Sequence, residues 1–176
     1  MSFSTKLKGL FTRKTLFRFV REIIILAVIL IALQMWRTKD MLPTDGSITV
    51  EPMQTVSLTG KEMTLAKGTE RTLLYFFAPW CRVCNWSIGS LADLGDTSLN
   101  IVPVAMDYES LEEVQDFVDR HDMDVDVALG NNEIKKHFEI KGYPSYYLLD
   151  ENKQVIAKHF GYTTSTQIKL QNWLAL

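Results

Sequence analysis

Residues 72–77 read TLLYFF, and no other stretch narrows the possible folds so far. A short continuous apolar run of that length is consistent with a strand buried on both faces, which would require packed layers above and below it. It passes through Ala78-Pro79 directly into Trp80-Cys81-Arg82-Val83-Cys84. From there Ile88, Leu91, Ala92 and Leu94 recur at helical spacing, so a helix is expected from about Cys81 toward Leu94. A thiol at such a helix start meets unpaired backbone N–H groups and the positive end of the helix dipole. Both favour the thiolate, the form that reacts. The i, i+3 spacing brings the second sulfur beside the first, so a disulfide can close. Cys81 is then the attacking sulfur and Cys84 the buried resolving one. Arg82 adds positive charge that favours the Cys81 thiolate, and Phe76, Phe77, Pro79 and Trp80 are expected to wall the exposed side.

Other uses of two cysteines fit less well. Haem attachment needs His after the second Cys, and Asn85 stands there. A structural zinc site needs two more ligands, whereas His121, His137 and His159 are scattered over different segments. No metal or organic cofactor is therefore expected. A purely structural bridge would close a loop too short to stabilise much.

The remaining elements follow from pattern. Segments 55–58 and 63–65 flank Thr59-Gly60-Lys61-Glu62, a hairpin signal. IVPVA at 101–105 is a second buried strand, with Pro103 a mild objection. Ser110 and Glu113 form a capping box before Leu111, Val114, Phe117 and Val118, in a helix ending near Arg120 or His121. A short strand is expected at 125–129, and a short helix capped by Asn131 or Asn132 carries Ile134 and Phe138. Segments 146–149 and 155–160 flank Asp150-Glu151-Asn152-Lys153 as a second hairpin, and Thr164 or Ser165 caps a last helix with Ile168, Leu170 and Trp173. Strands alternating with helices, then a closing hairpin and helix, predict an α/β domain: a mixed central sheet with helices on both faces.

Charge is distributed unevenly. Six basic residues (Lys6, Lys8, Arg13, Lys14, Arg18, Arg21) precede an uncharged run, IIILAVILIALQMW at 23–36, whereas from Arg37 onward 13 basic residues face 20 acidic ones. An acidic domain without a basic patch argues against a nucleic-acid partner. Counted from Val20, seventeen residues span roughly 26 Å, near the lower limit for a transmembrane helix. No small-x-small site follows the run, which favours an uncleaved signal-anchor over a signal peptide. The positive-inside bias puts the N-terminus in the cytoplasm. The expected organisation is a basic cytoplasmic stretch at 1–19, one transmembrane helix at 20–36, a polar linker at 37–50 with Pro43, Asp45 and Gly46, and the folded domain at 51–176.

Gly142-Tyr143-Pro144-Ser145 stands just before the strand expected at 146–149. WCxxC after a strand, with an aromatic-Pro step before a later strand, resembles the thioredoxin superfamily. The extra hairpin VSLTGKEMTL resembles the TlpA-like branch. The short anchor, the LLYF-x-A-x-WC-x-VC pattern and a C-terminal helix with Trp resemble the membrane-tethered suppressor-for-copper-sensitivity D type. The resemblance implies a thioredoxin-like fold with an extra N-terminal β-hairpin. It also implies a cis Pro144 packed on the Cys81–Cys84 pair, and a Tyr143 backbone able to pair with a substrate chain. The function implied is thiol:disulfide exchange on disulfide-containing proteins, as a reductase recharged by a membrane electron-transfer protein of the DsbD type. The location implied is the bacterial inner membrane, with the domain facing the periplasm. Rival readings are a disulfide-donating oxidase and a copper-handling module using the two thiolates as soft ligands. Two departures stand out. Thioredoxins carry a buried Asp where this chain has Tyr75, so the base for Cys84 is unassigned, with Asp107 and Glu109 as candidates. Relatives often have Pro where this chain has Val83.

Overall fold

A computed structural model describes residues 13–95 and 98–174. It contains two compact units, Met1–Lys39 and Asp40–Leu176. The first unit is described by α1 (Arg13–Thr38), and residues 1–12 of the expected basic stretch lie outside the described part. Ile23, Ile24, Leu26, Leu30 and Ile31 are all exposed, so apolar side chains surround this helix rather than forming one stripe. An Arg21–Glu22 ion pair of 2.6 Å interrupts the apolar surface. Among the described residues no helix is both long and apolar enough to meet the measure of an ordinary membrane span. The helix expected at 20–36 is present within α1, but by this measure its membrane span is not shown. The uncharged run begins only at Ile23, and at ~1.5 Å per residue it covers about 21 Å of a ~30 Å hydrocarbon core.

The second unit begins earlier than the expected linker allowed. Met41, Leu42 and Val50 are buried in the domain core. The Leu42 amide donates to the Tyr147 hydroxyl at 3.1 Å, and Lys158 Nζ donates to the Met41 carbonyl at 3.1 Å. Apolar residues at 41 and 42 gain more from burial than a free tether would give them.

The hairpin β1 (Met53–Val56) and β2 (Glu62–Leu65) forms its own two-stranded antiparallel sheet. The central sheet contains β3 (Thr72–Phe77), β4 (Asn100–Ala105), β5 (Ala128–Leu129), β6 (Ser145–Leu149) and β7 (Val155–Phe160), in the order β5-β4-β3-β6-β7. β3, β4 and β5 run parallel to one another; β6 is antiparallel to β3, and β7 antiparallel to β6. The sheet is mixed, as expected, and every residue of β3 is buried. Pro103 is tolerated because of register. The Met106 amide donates to Phe77 O, so by alternation Pro103 turns to the other edge, where β5 pairs only with Val104 and Ala105. That β5 is also shorter than the strand expected at 125–129.

Helices cover both faces: α2 (Arg82–Ser87), α3 (Gly89–Ala92), α4 (Leu111–Arg120), α5 (Asn132–His137) and α6 (Ser165–Leu174). The single helix expected from Cys81 to Leu94 is broken at Ile88 into α2 and α3. The caps read from sequence are present. Ser110 Oγ accepts the Glu113 amide, and Asn131 Oδ1 accepts the Ile134 amide. Strand alternation divides the core in two. Leu74, Phe76 and Tyr147 face one side; Leu73, Tyr75, Phe77 and Tyr146 face the other, with both cysteines.

Candidate active site

Cys81 is the N-cap of α2 and is joined to Cys84 by a disulfide. Its backbone is extended (φ −76°, ψ 110°), and its Sγ accepts the Cys84 amide at 3.1 Å. This is the capping bond that Ser or Asp makes at other helices, made here by sulfur. Cys81 is 6% exposed and Cys84 fully buried, so the cysteine at the helix start is the more accessible one. Arg82, the first residue of α2, is exposed.

Trp80 is 60% exposed and stands beside the pair. Phe76 and Phe77 do not wall the site as expected. Both are fully buried, on opposite faces of β3, because a strand sends successive side chains to opposite sides. The second loop of the site is Gly142–Ser145, and its Tyr143–Pro144 peptide is cis. Pro144 is buried, and its carbonyl accepts the Gly161 amide at 2.9 Å. A Cβ at Gly142 would stand 2.9 Å from the Phe160 ring, so a larger residue there would have to displace that ring. Tyr143 packs against the cluster that holds both cysteines and meets Trp80 edge to face, with ring centroids 5.9 Å apart.

Asp107 ties these loops together. It follows β4 with φ +47°, a left-handed conformation that Asp adopts more readily than most residues. Its carbonyl accepts Trp80 Nε1–H at 2.8 Å, while its carboxylate accepts the Tyr143 hydroxyl at 2.9 Å and Lys135 Nζ. Burial pushes this carboxyl up, but the bonds from Lys135 and Tyr143 outweigh it, and the net shift is below the ordinary Asp value. Asp107 is thus engaged with Trp80, Tyr143 and Lys135. Glu109 presents its backbone amide to Glu113, and among the described residues no contact links its side chain to Cys84.

Beneath Cys84 lie hydroxyls rather than a carboxylate. Tyr75 donates to the Cys84 carbonyl at 3.4 Å and shares a 3.2 Å hydrogen bond with Ser87. Burial drives the Tyr75 hydroxyl far above its ordinary pKa, so it stays protonated. The Tyr146 ring packs against it at 4.8 Å, and burial pushes its own hydroxyl up to about 12. On the outer side, Asn85 Nδ2 donates to the Cys81 carbonyl at 3.0 Å, and Asn85 Oδ1 meets His121 Nε2 at 2.8 Å and Arg120 Nη1 at 3.3 Å. Asn85 was legible as the i+4 neighbour of Cys81. His121 was not, because it arrives from another helix.

A buried parallel strand feeding a CxxC helix, faced by an aromatic–cis-Pro loop, defines a thioredoxin-fold site for thiol:disulfide exchange. The comparisons agree. The chain belongs to the Thioredoxin-like family, whose profile it matches over residues 68–155, and it is a thiol:disulfide oxidoreductase of the thioredoxin type. It is 27% identical over 120 residues to the thioredoxin-like protein YneN of Bacillus subtilis, covering 64% of this chain and 70% of that protein. It is 22% identical over 120 residues to the sporulation thiol-disulfide oxidoreductase A of the same organism, covering 64% and 73%. Two solved structures share the fold. StoA from Bacillus subtilis has a TM-score of 0.62 at 19% identity, covering 74% of this chain and 99% of that one. A thiol:disulfide interchange protein from Chlorobium tepidum has a TM-score of 0.63 at 19% identity, covering 72% and 94%.

Proposed function

We propose that the protein is a membrane-attached, extracytoplasmic reductase of protein disulfides, with Cys81 as nucleophile and Cys84 as resolving thiol. The observation that carries the roles is the position of Cys81 at the N-cap of α2, accepting the Cys84 amide, with Cys84 fully buried behind it. The Cys81 thiolate attacks one sulfur of a substrate disulfide, and the other substrate sulfur leaves as a thiolate. Cys84, deprotonated, then attacks Cys81 Sγ and expels the second substrate thiolate. Two electrons have passed to the substrate, and the Cys81–Cys84 disulfide has formed. Trp80 and Tyr143 offer the surface on which the substrate chain rests, the buried Pro144 shapes the loop that carries Tyr143, and Arg82 adds positive charge beside it.

A dithiol donor of the DsbD type, by resemblance, reduces the pair again. The narrower likeness to the suppressor-for-copper-sensitivity D type rests on the quoted sequence patterns. Attachment through α1 is supported by its apolar side chains, exposed on every side, and by the basic residues that precede them. The charge bias favours single-pass insertion in a bacterial cytoplasmic membrane with the domain on the outer, periplasmic side. This requires the Arg21–Glu22 pair to sit at headgroup level, since the uncharged run alone is short.

The experiment is substrate trapping. Cys84→Ser in the full chain should accumulate mixed disulfides through Cys81, resolved by reducing agent. Complexes that survive reducing agent, or that form equally well when Cys81 is also replaced, would count against the reading. For direction, glutathione equilibration should give a potential nearer the about −270 mV of thioredoxin than the about −120 mV of DsbA. A value near the latter favours the oxidase, which the thiolate-stabilising helix start and Arg82 otherwise support. Protease added outside spheroplasts should digest the domain; protection would refute the location.

A further inference from the structure

We propose that His121 is a positioning residue for Cys81, acting through Asn85, and that the charge on His121 sets how readily Cys81 carries its thiolate. The inference rests on the assignment of Cys81 as nucleophile and adds a residue from beyond the active-site helix.

The orientation of the Asn85 amide is fixed by its three partners. Its Nδ2 donates to the Cys81 carbonyl at 3.0 Å, and its Oδ1 faces the Arg120 guanidinium at 3.3 Å and His121 Nε2 at 2.8 Å. A flipped amide would point NH2 at a guanidinium, which has only donors, and oxygen at a carbonyl, which only accepts. Since Oδ1 can only accept, the hydrogen on His121 lies on Nε2, and any second proton goes to Nδ1. The result is a continuous chain of donors from His121, through one amide, to the backbone of the nucleophile.

The Cys81 carbonyl is the first acceptor of α2 and also takes the Asn85 backbone N–H at 3.2 Å. Donors on this oxygen withdraw negative potential from the residue that bears the reactive sulfur. A proton on His121 Nδ1 strengthens the donation, since bonds from charged donors are roughly twice as strong as neutral ones. It also places a full positive charge two hydrogen bonds from Cys81. The His121 ring is held in place by Phe117, 4.6 Å away between centroids. Burial, then the neighbouring Arg120, lower the pKa of His121, while Asp122 opposes them. The groove beside it adds Arg82 from α2 and Glu113 and Asp116 from α4. His121 is therefore neutral at neutral pH and takes up its second proton only below the ordinary histidine value. Reduction of the pair takes up two electrons and one proton from solvent, leaving a thiolate on Cys81 and a thiol on Cys84. A positive charge on His121 favours that product.

Coupling of this kind is reciprocal. In the wild-type full chain, the His121 ring resonance should titrate at higher pH in the reduced protein than in the oxidised one, because the Cys81 thiolate favours the imidazolium. An unchanged midpoint overturns the proposal without any mutation. Alkylation with iodoacetamide, read separately at each cysteine by mass spectrometry, supplies the second arm. Wild-type Cys81 should show two ionisations and His121→Gln one, with the variant slower by about threefold at pH values where the wild-type His121 resonance shows the ring charged. Asn85→Ala should lose the second ionisation while His121 still titrates. Superimposable profiles overturn the coupling, and an Asn85→Ala profile that keeps both ionisations overturns the route through Asn85. If Cys84 is labelled first, the nucleophile assignment fails instead, and the ring titration distinguishes the two failures.

Discussion

The two faces of the central sheet are built from the same strands and do different work. On one side Tyr147, from β6, is buried with its hydroxyl fully used. It donates to Phe138 O at 2.8 Å and accepts the Leu42 amide at 3.1 Å, while Phe76 and Phe138 pack ring on ring at 5.0 Å. On the other side Tyr75 and Tyr146, one residue out of register with that set, put their rings beneath Cys84, where the bonds to Cys84 O and Ser87 are 3.2 to 3.4 Å. The first face is closed and well satisfied. The second keeps longer polar contacts at the point where the covalent chemistry changes state. Stability and reactivity are thus assigned to opposite sides of one β3 strand.

The sharpest test of that division is Cys81→Ser, which should abolish exchange, by at least ~10³-fold, with circular dichroism unchanged. Retained turnover would move the chemistry away from this face. Next comes Phe138→Ala on the closed face, which should cost ~3–5 kcal/mol in denaturant unfolding of the oxidised protein. The exchange rate per folded molecule should stay the same, and an equal loss of rate would show that the faces are coupled. A smaller effect separates two tyrosines. Tyr147→Phe should cost about 1–3 kcal/mol, because it strands the Leu42 amide and the Phe138 carbonyl. Tyr75→Phe should cost about 0.5–1 kcal/mol, since Ser87 still serves Cys84 O, yet change the rate at which Cys84 resolves a mixed disulfide. Equal costs would erase the contrast.

The smallest effect is on acid stability. His159, between Tyr162 O and Gln167, has its pKa lowered from 6.5 by burial. The unfolded chain therefore binds this proton more readily than the fold does. The His159 contribution is full above pH 6.5 and is lost as pH falls through that value toward the lower folded pKa. His159→Gln should flatten the slope of stability against pH in that window, and an unchanged slope would assign it to other groups.

Much of this was written in local pattern. TLLYFF could be read as a doubly buried strand, Ser110 and Asn131 as caps, and the i, i+3 cysteines at a helix start implied a closable pair. These follow from period and from the backbone groups left open at helix ends, which neighbours along the chain decide. The break at Ile88 and the burial of Met41 and Leu42 were not legible, because packing against distant elements decides them. The same holds for the site. Sequence named Cys81, Cys84, Trp80 and Pro144 through one motif and one resemblance. Only the fold brought Asp107 onto both Trp80 and Tyr143, and only the fold brought His121, 36 positions further on, to the amide beside Cys81. Hydrogen bonds over such separations depend on where α4 and the β4 end come to rest, and no local preference of the chain encodes that.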